Sequence, residues 1–204
     1  MGRLIYMMNT SLDGFVEDAA GNFDWTVPSQ EVFEAISEIQ RAAGTYLYGR
    51  RLYETMAVWD SAAAYEGATG QPLADQPAYV REFARMWQAA EKIVYSRSLG
   101  AVTTPRTQLR KGLDPEEVRD LKSRTTRDIT VGGPGLAAAA LGAGLVDDIY
   151  LFVAPIVIGK GKSVFPTELR IPLELVDEGH YQSGVVRLHY QPRGGAKAQV
   201  GAKG

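Results

Sequence analysis

An α/β fold, with a central, mostly parallel mixed sheet flanked by helices, is what this 204-residue sequence predicts. Strand-like apolar runs alternate with amphipathic helical stretches through residue 154, the succession that gives parallel strands joined by helical crossovers. Two further β-favouring runs, 173–176 and 185–190, follow one another with no helix between them, so the carboxyl-terminal strands are expected to be antiparallel. The first run, Arg3 to Met8, is almost continuously apolar, as a strand covered on both faces has to be.

Asn9 to Trp25 has the glycines and acids of a loop. A helix capped by Ser29 follows, with Val32, Phe33, Ile36 and Ile39 on one face and Gly44 just past its end. Strand 45–48 stops at Gly49, and a helical turn or two is expected over 50–56. Residues 59–76 are rich in Ala, Gly and polar side chains without a period and read as a long surface loop. Pro77 opens a second amphipathic helix carrying Phe83 and Trp87, and strands 92–95 and 107–110 come next. Asp114-Pro115-Glu116-Glu117 combines a capping Asp, a proline at the first helical position and a Glu three residues after the cap. Strand 128–131, a Gly-rich turn, an Ala-rich helix and strand 148–154 complete the alternation. One domain is expected over 1–192, with a disordered tail over 193–204.

Composition narrows the function. A net charge of −2 gives no global positive field for nucleic acid or anionic membrane, and the absence of cysteine excludes disulfides and thiol chemistry. No long apolar run opens the chain, so a signal peptide is not expected and the protein reads as cytoplasmic. His180 and His189 have no partners at metal-ligand spacing and read as structural, and no metal site is expected. Gly159 to Ser163 fails the P-loop pattern because Ile156 stands where its first glycine belongs, and there is no nucleophile elbow.

Three strand ends have the chemistry of an anion site. Gly49-Arg50-Arg51 opens a helix, where free N–H groups and guanidinium groups favour phosphate. Ser96 and Arg97 follow the next strand with hydroxyl and guanidinium donors. Gly132-Gly133-Pro134-Gly135-Leu136 lets backbone approach a diphosphate closely, although Ala138 breaks the G-x-G-x-x-G spacing. Three such turns on successive strands suit one long ligand bearing several phosphates: a dinucleotide, with the arginines favouring a 2′-phosphate and hence NADPH.

Ser11-Leu12-Asp13-Gly14, Tyr48-Gly49-Arg50, Tyr95-Ser96-Arg97 and Gly132 to Leu136 occur in the order seen in the dihydrofolate-reductase-like superfamily. The chain most resembles the branch named after the C-terminal reductase domain of the bifunctional riboflavin-biosynthesis protein, and Gly144 to Pro155 and Gly159 to Phe165 are similar to that branch too. The resemblance implies an NADPH-dependent reductase acting on a small heterocyclic or imine/carbonyl substrate, similar to 5-amino-6-(5-phosphoribosylamino)uracil reductase, and a homodimer. By the same resemblance Gly49, Arg50, Arg51, Ser96 and Arg97 hold the 2′-phosphate side, and Gly132, Gly133, Pro134, Gly135 and Leu136 cradle the diphosphate. Met8, Asn9, Asp13, Gly14 and Val16 then border the nicotinamide, with Asp13 as candidate polar group for catalysis. Trp25-Thr26-Val27-Pro28 matches the landmark before the acid of folate reductases, but the acid's position falls on Gln30, an orienting amide at most, and its supporting threonine on Phe152. This argues against folate reduction unless the acid is supplied elsewhere. Val131 also replaces the Glu that usually precedes Gly-Gly in the riboflavin enzymes. The competing class is a dinucleotide-binding protein without turnover.

Overall fold

A strand that is apolar on both faces needs neighbours on both edges and helices above and below. The computed structural model, which describes residues 1–193 and the backbone of 199–200, meets this by setting β1 (Leu4–Ser11) between β6 (Asp128–Gly132) and β7 (Asp148–Ala154), parallel to both. β3 (Ala43–Gly49), β4 (Glu91–Tyr95) and β5 (Thr107–Arg110) continue the parallel run beyond β6. On the other side β11 (Val186–Pro192) returns antiparallel to β7, and β10 (Leu173–His180) forms the edge. The eight-stranded order is β10-β11-β7-β1-β6-β3-β4-β5, the mostly parallel mixed sheet expected.

Alternate residues of these strands feed two cores. Leu4, Tyr6, Leu47, Val131 and Ile149 pack under α5 (Pro115–Arg124) and α6 (Pro134–Gly142), where fully buried Ala137 and Ala140 let α6 lie close to the sheet. Tyr46, Tyr48 and Val94 face the other way, under α2 (Arg50–Met56) and α4 (Ala78–Ala89), with Phe33 of α1 (Gln30–Ala42) against them. Asp114 caps α5 as expected, accepting the Glu116 N–H at 2.9 Å.

Several expectations are corrected. The 59–76 stretch is not a structureless loop: it contains a 3₁₀ turn (Ala57–Asp60) and α3 (Ala62–Thr69), capped by the Ser61 hydroxyl and ended at Gly70 with φ +71°. Trp59 anchors the segment, its ring 4.9 Å from Phe83 and 5.3 Å from Tyr65. The expected loop after β1 holds β2 (Phe15–Asp18), paired antiparallel with β8 (Gly161–Ser163). That pairing gives Gly161 its reason, since a Cβ there would lie 1.9 Å from the Glu17 carbonyl. Gly44 does not end α1 but belongs to β3, and the Arg127 guanidinium lies against it while donating to the Arg41 and Ala43 carbonyls. Ser29 precedes α1 without capping it through its side chain. Of the expected tail, Gln199–Val200 (β12) pairs antiparallel with Leu169–Arg170 (β9), while 194–198 and 201–204 lie outside the described residues.

The amino edge of the sheet is tied by charge. Asp147 accepts the Leu4 N–H at 2.7 Å and pairs with the buried Lys122 at 2.6 Å. Asp148, 5% exposed in its side chain, accepts from Arg3, from His189 at 2.8 Å and from Gln191 at 3.0 Å. His189, read as structural, is that: its ring stacks on Tyr150 at 4.0 Å. Burial pushes the Asp148 carboxyl up, but the hydrogen bonds from Arg3, His189 and Gln191 outweigh it and hold the group below its ordinary value. A depressed native pKa contributes stability above the unfolded value, and that contribution is lost as pH falls through the native one. Asp148→Asn is therefore expected to lower the unfolding free energy at pH 7 by about 3 kcal/mol. The gap from wild type should narrow below about pH 4 in urea titrations; a gap constant with pH would contradict this assignment.

Candidate functional site

Parallel strands deliver their crossover turns to one edge, and ligands of such sheets gather there. Register lines these turns up: Tyr48 of β3 pairs with Gly132 of β6, and Gly49 with Tyr95 of β4. The three anion-suited turns read from the sequence thus stand side by side.

Gly133 is the conformational pivot of this edge. Its φ of +91° and ψ of 125° lie where side chains are strained, whereas an added Cβ would meet only Gly49 N at 3.9 Å and Leu52 Cβ at 4.0 Å. The requirement for glycine is therefore backbone geometry rather than lack of room. Pro134 opens α6 immediately afterwards, and the first turn bond runs from Ala137 N–H to the Gly133 carbonyl at 3.0 Å. The N–H groups of Gly135 and Leu136 belong to the first helical turn, which has no intrahelical acceptor for them. No heavy atom lies within 4 Å of a Cβ built at Gly135 or at Gly49, so both face open space. At Gly132 the Leu52 side chain occupies that volume.

Cationic groups rim this edge unequally. Arg50, the first residue of α2, donates to Glu54 at 2.7 Å and to Ser98 Oγ at 3.1 Å, joining the β3 and β4 turns. Ser96 Oγ accepts the N–H groups of Ser98 and Leu99, shaping the turn on which exposed Arg97 stands. Arg51 does not join them. It turns toward β2 and pairs with Glu17 at 2.7 Å.

Around the end of β1 the predicted residues separate. Met8 is half-buried and Val16 is buried, both against the core under α5 and α6. Asn9 faces the opposite side, its amide donating to the Thr26 carbonyl at 3.3 Å. One residue before Thr26, the Trp25 indole N–H is buried with no hydrogen-bond partner among the described residues.

Asp13 is occupied. It accepts from Ser11 Oγ at 2.6 Å, from Gly159 N at 2.7 Å and from Ile158 N at 3.2 Å, which pins the turn before β8 to the turn after β1. The Ser11 hydroxyl and then these backbone donors hold its carboxyl below the usual carboxylate range, so it has no proton to give near neutrality. Gln30 is exposed, its amide donating to Glu34 at 2.9 Å. The next residue, Glu31, faces the β10–β11 turn and accepts the Gln182 N–H at 3.4 Å. Beside it Tyr181 stacks on Phe152, the register partner of Asn9. An open groove of about 690 Å³, lined by Glu31, Glu34, Glu38, Tyr79, Met86 and Tyr181 among others, lies between α1, α4 and this turn, apart from the glycine turns. Among the described residues no three His, Asp or Glu side chains cluster as a metal ion would require, and no helix is long and apolar enough to cross a membrane.

Comparison with known proteins places this geometry. The chain is 29% identical over 196 residues to the protein YyaP of Bacillus subtilis (strain 168), covering 94% of this chain and 96% of that one. A putative riboflavin biosynthesis protein from Shewanella sp. PV-4 superimposes with a TM-score of 0.71 at 19% identity, over 94% of this chain and 99% of that one. The Thermotoga maritima deaminase/5-amino-6-(5-phosphoribosylamino)uracil reductase gives 0.60 at 17% identity, with 94% of this chain matched to 56% of the larger protein. These likenesses establish the dihydrofolate-reductase-like, riboflavin-reductase-type fold. The RibD C-terminal domain pattern spans residues 3–186, and the chain belongs to that family.

Proposed function

We propose that the protein is an NADPH-dependent reductase that delivers hydride to a small heterocyclic, imine or carbonyl substrate. The observation that carries this reading is the alignment, on one sheet edge, of the Gly49–Arg50, Ser96–Ser98 and Gly132–Leu136 turns. The donors fit a phosphate-bearing ligand, because Gly49 and Gly135 open onto free space and the Gly133 conformation starts α6 directly at the glycine turn. The N–H groups of Gly135 and Leu136 would receive the diphosphate, and Arg50, Arg97, Ser96 and Ser98 the 2′-phosphate. The cofactor, when bound, would supply the hydride. Asn9 and the Trp25 indole would border its nicotinamide end, and the chain's own contribution there is holding two planar reactants in register. Asp13 is spent on the loop clamp and Gln30 on Glu34, which leaves Glu31 as the carboxylate best placed beside Tyr181 and Phe152. A homodimer in the cytoplasm belongs to the same reading, supported by the exposed Leu175 and Val176 on edge strand β10.

The spent Asp13 also favours a second reading, a dinucleotide-binding protein without turnover. NADPH consumption across a panel of imines, quinonoid heterocycles and carbonyl compounds separates the two. Turnover with any of them supports the reductase. Tight NADPH binding with no consumption supports the binding protein.

Cofactor choice gives the sharpest expectation. Arg50→Ala should weaken NADPH binding about ten- to a hundredfold and leave NADH nearly unchanged, since a charge-assisted phosphate contact contributes roughly 1.5–3 kcal/mol. Calorimetry showing equal wild-type affinities for the two would remove the 2′-phosphate assignment. The glycines make a paired test. Gly135→Ala adds a methyl where nothing obstructs it and should stabilise α6 by about 0.4–1 kcal/mol while weakening dinucleotide binding. Gly133→Val should lose both binding and stability, by about 1–3 kcal/mol, through strain at φ +91°. Unaltered NADPH affinity in Gly135→Ala would reduce the turn to a packing feature. With dihydrofolate, turnover should lie about 10²–10⁴-fold below the roughly 10 per second typical of enzymes, for want of a buried acid beside Phe152. A rate within that typical range, lost in Glu31→Gln, would show that Glu31 supplies the proton.

A further inference from the structure

The Arg51–Glu17 ion pair has a position that neither residue's own element requires. Arg51 is the second residue of α2, which follows β3, and Glu17 lies in β2, which follows β1. β1 and β3 flank β6 on its two sides. A bridge between the segments that follow them therefore crosses the carboxyl end of β6, where Gly132 and Gly133 turn into α6. The two partners are unequally held. Glu17 is 18% exposed, and its backbone is pressed against Gly161 in the β2–β8 pairing. Arg51 is 72% exposed on a long flexible stem. The fixed member is the acid and the movable member is the cation. Arg50, by contrast, has a settled place, bound to Glu54 and Ser98 within its own rim.

We propose that Glu17 tunes the anion affinity of this edge by holding Arg51 in reserve across the glycine turn, and that Arg51 leaves it for the diphosphate of the bound dinucleotide. This rests on the dinucleotide reading above. An exposed ion pair is weak and screened by salt, whereas a guanidinium gains a bidentate, charge-assisted contact from a phosphate. The exchange is thus downhill once a phosphate arrives, and Glu17 sets how far downhill. Because the bridge crosses β6 rather than the Ser96–Ser98 turn, the destination is the diphosphate common to NADPH and NADH, not the 2′-phosphate.

Calorimetric titration of NADPH and of NADH into wild type, Glu17→Gln and Glu17→Gln/Arg51→Met tests this, with thermal unfolding of each variant recorded alongside. Glu17→Gln should bind both dinucleotides about two- to fivefold more tightly than wild type, the ratio that a weak exposed pair represents. The double variant should lose that gain and fall below wild type. Unchanged or weaker binding by Glu17→Gln with an unshifted melting temperature overturns the proposal, and the pair is then a structural strap. A gain kept in the double variant also overturns it, because removal of a repelling carboxylate would suffice. A gain confined to NADPH contradicts the diphosphate destination. If wild type binds neither dinucleotide, the cofactor reading falls and takes this proposal with it, an outcome distinct from normal wild-type binding without a Glu17 effect.

Discussion

Parallel pairing of β1 with both β6 and β7 is the constraint on which the rest of the molecule depends. It forces every crossover to start at one edge of the sheet and finish at the other, so the two edges acquire different chemistry. The amino edge has strand starts to anchor, and there Asp147 and Asp148 accept from Leu4, Lys122, Arg3, His189 and Gln191. The carboxyl edge has turns feeding helix starts, and there Gly49 and Gly135 face open space while Arg50 and Arg51 pair with Glu54 and Glu17. A buried carboxylate therefore anchors the amino edge, while at the carboxyl edge the ion pairs are exposed and the first-turn N–H groups of α6 have no intrahelical acceptor.

Periodicity and turn chemistry made much of this legible. β1 announced itself as an almost continuous apolar run and β3, β6 and β7 as short β-favouring stretches, and the α5 cap needed only Asp114-Pro115-Glu116-Glu117 to be read. α3 escaped because its Ala-rich face has no apolar period, yet Ser61 and Gly70 were the start and stop signals of an ordinary helix. β2 and β8 escaped because each is short and its partner lies far along the chain, and only the crowding at Gly161 betrays the contact. Lys92 shows the same limit. A lysine is seldom buried, yet this one is, donating to the Trp87 and Ala90 carbonyls at the end of α4 with its ammonium 4.3 Å from the Trp87 ring centroid.

At the site, sequence reading located backbone better than side chains. The glycine turns stood where strand order put them, because a residue without a side chain has only its backbone to place. Long side chains choose among neighbours that sequence does not reveal. Arg50 found Ser98 in space, Arg51 found Glu17, and Gln30 found Glu34 one helical turn away. Asp13 was a candidate for chemistry on the strength of its turn. Its carboxylate instead joins two turns that are 145 residues apart in the chain, counted from Asp13 to Ile158.

That use of Asp13 bears on how such a site can work. Hydride delivery asks chiefly for alignment of two planes, while the accompanying proton asks for a group that is neutral and acidic near pH 7. A carboxylate stabilised by the Ser11 hydroxyl and by the Gly159 and Ile158 N–H groups joins the turn after β1 to the turn before β8 and is held in its charged form, so it does not meet the second need. On the reductase reading, positioning and proton supply would fall to different residues. Outside the Asp13 clamp, the start of α1 places Glu31 against the β10–β11 turn, where it accepts the Gln182 N–H at 3.4 Å and Tyr181 stacks on Phe152, so that a carboxylate and two aromatic rings meet on the side of β1 that Asn9 faces.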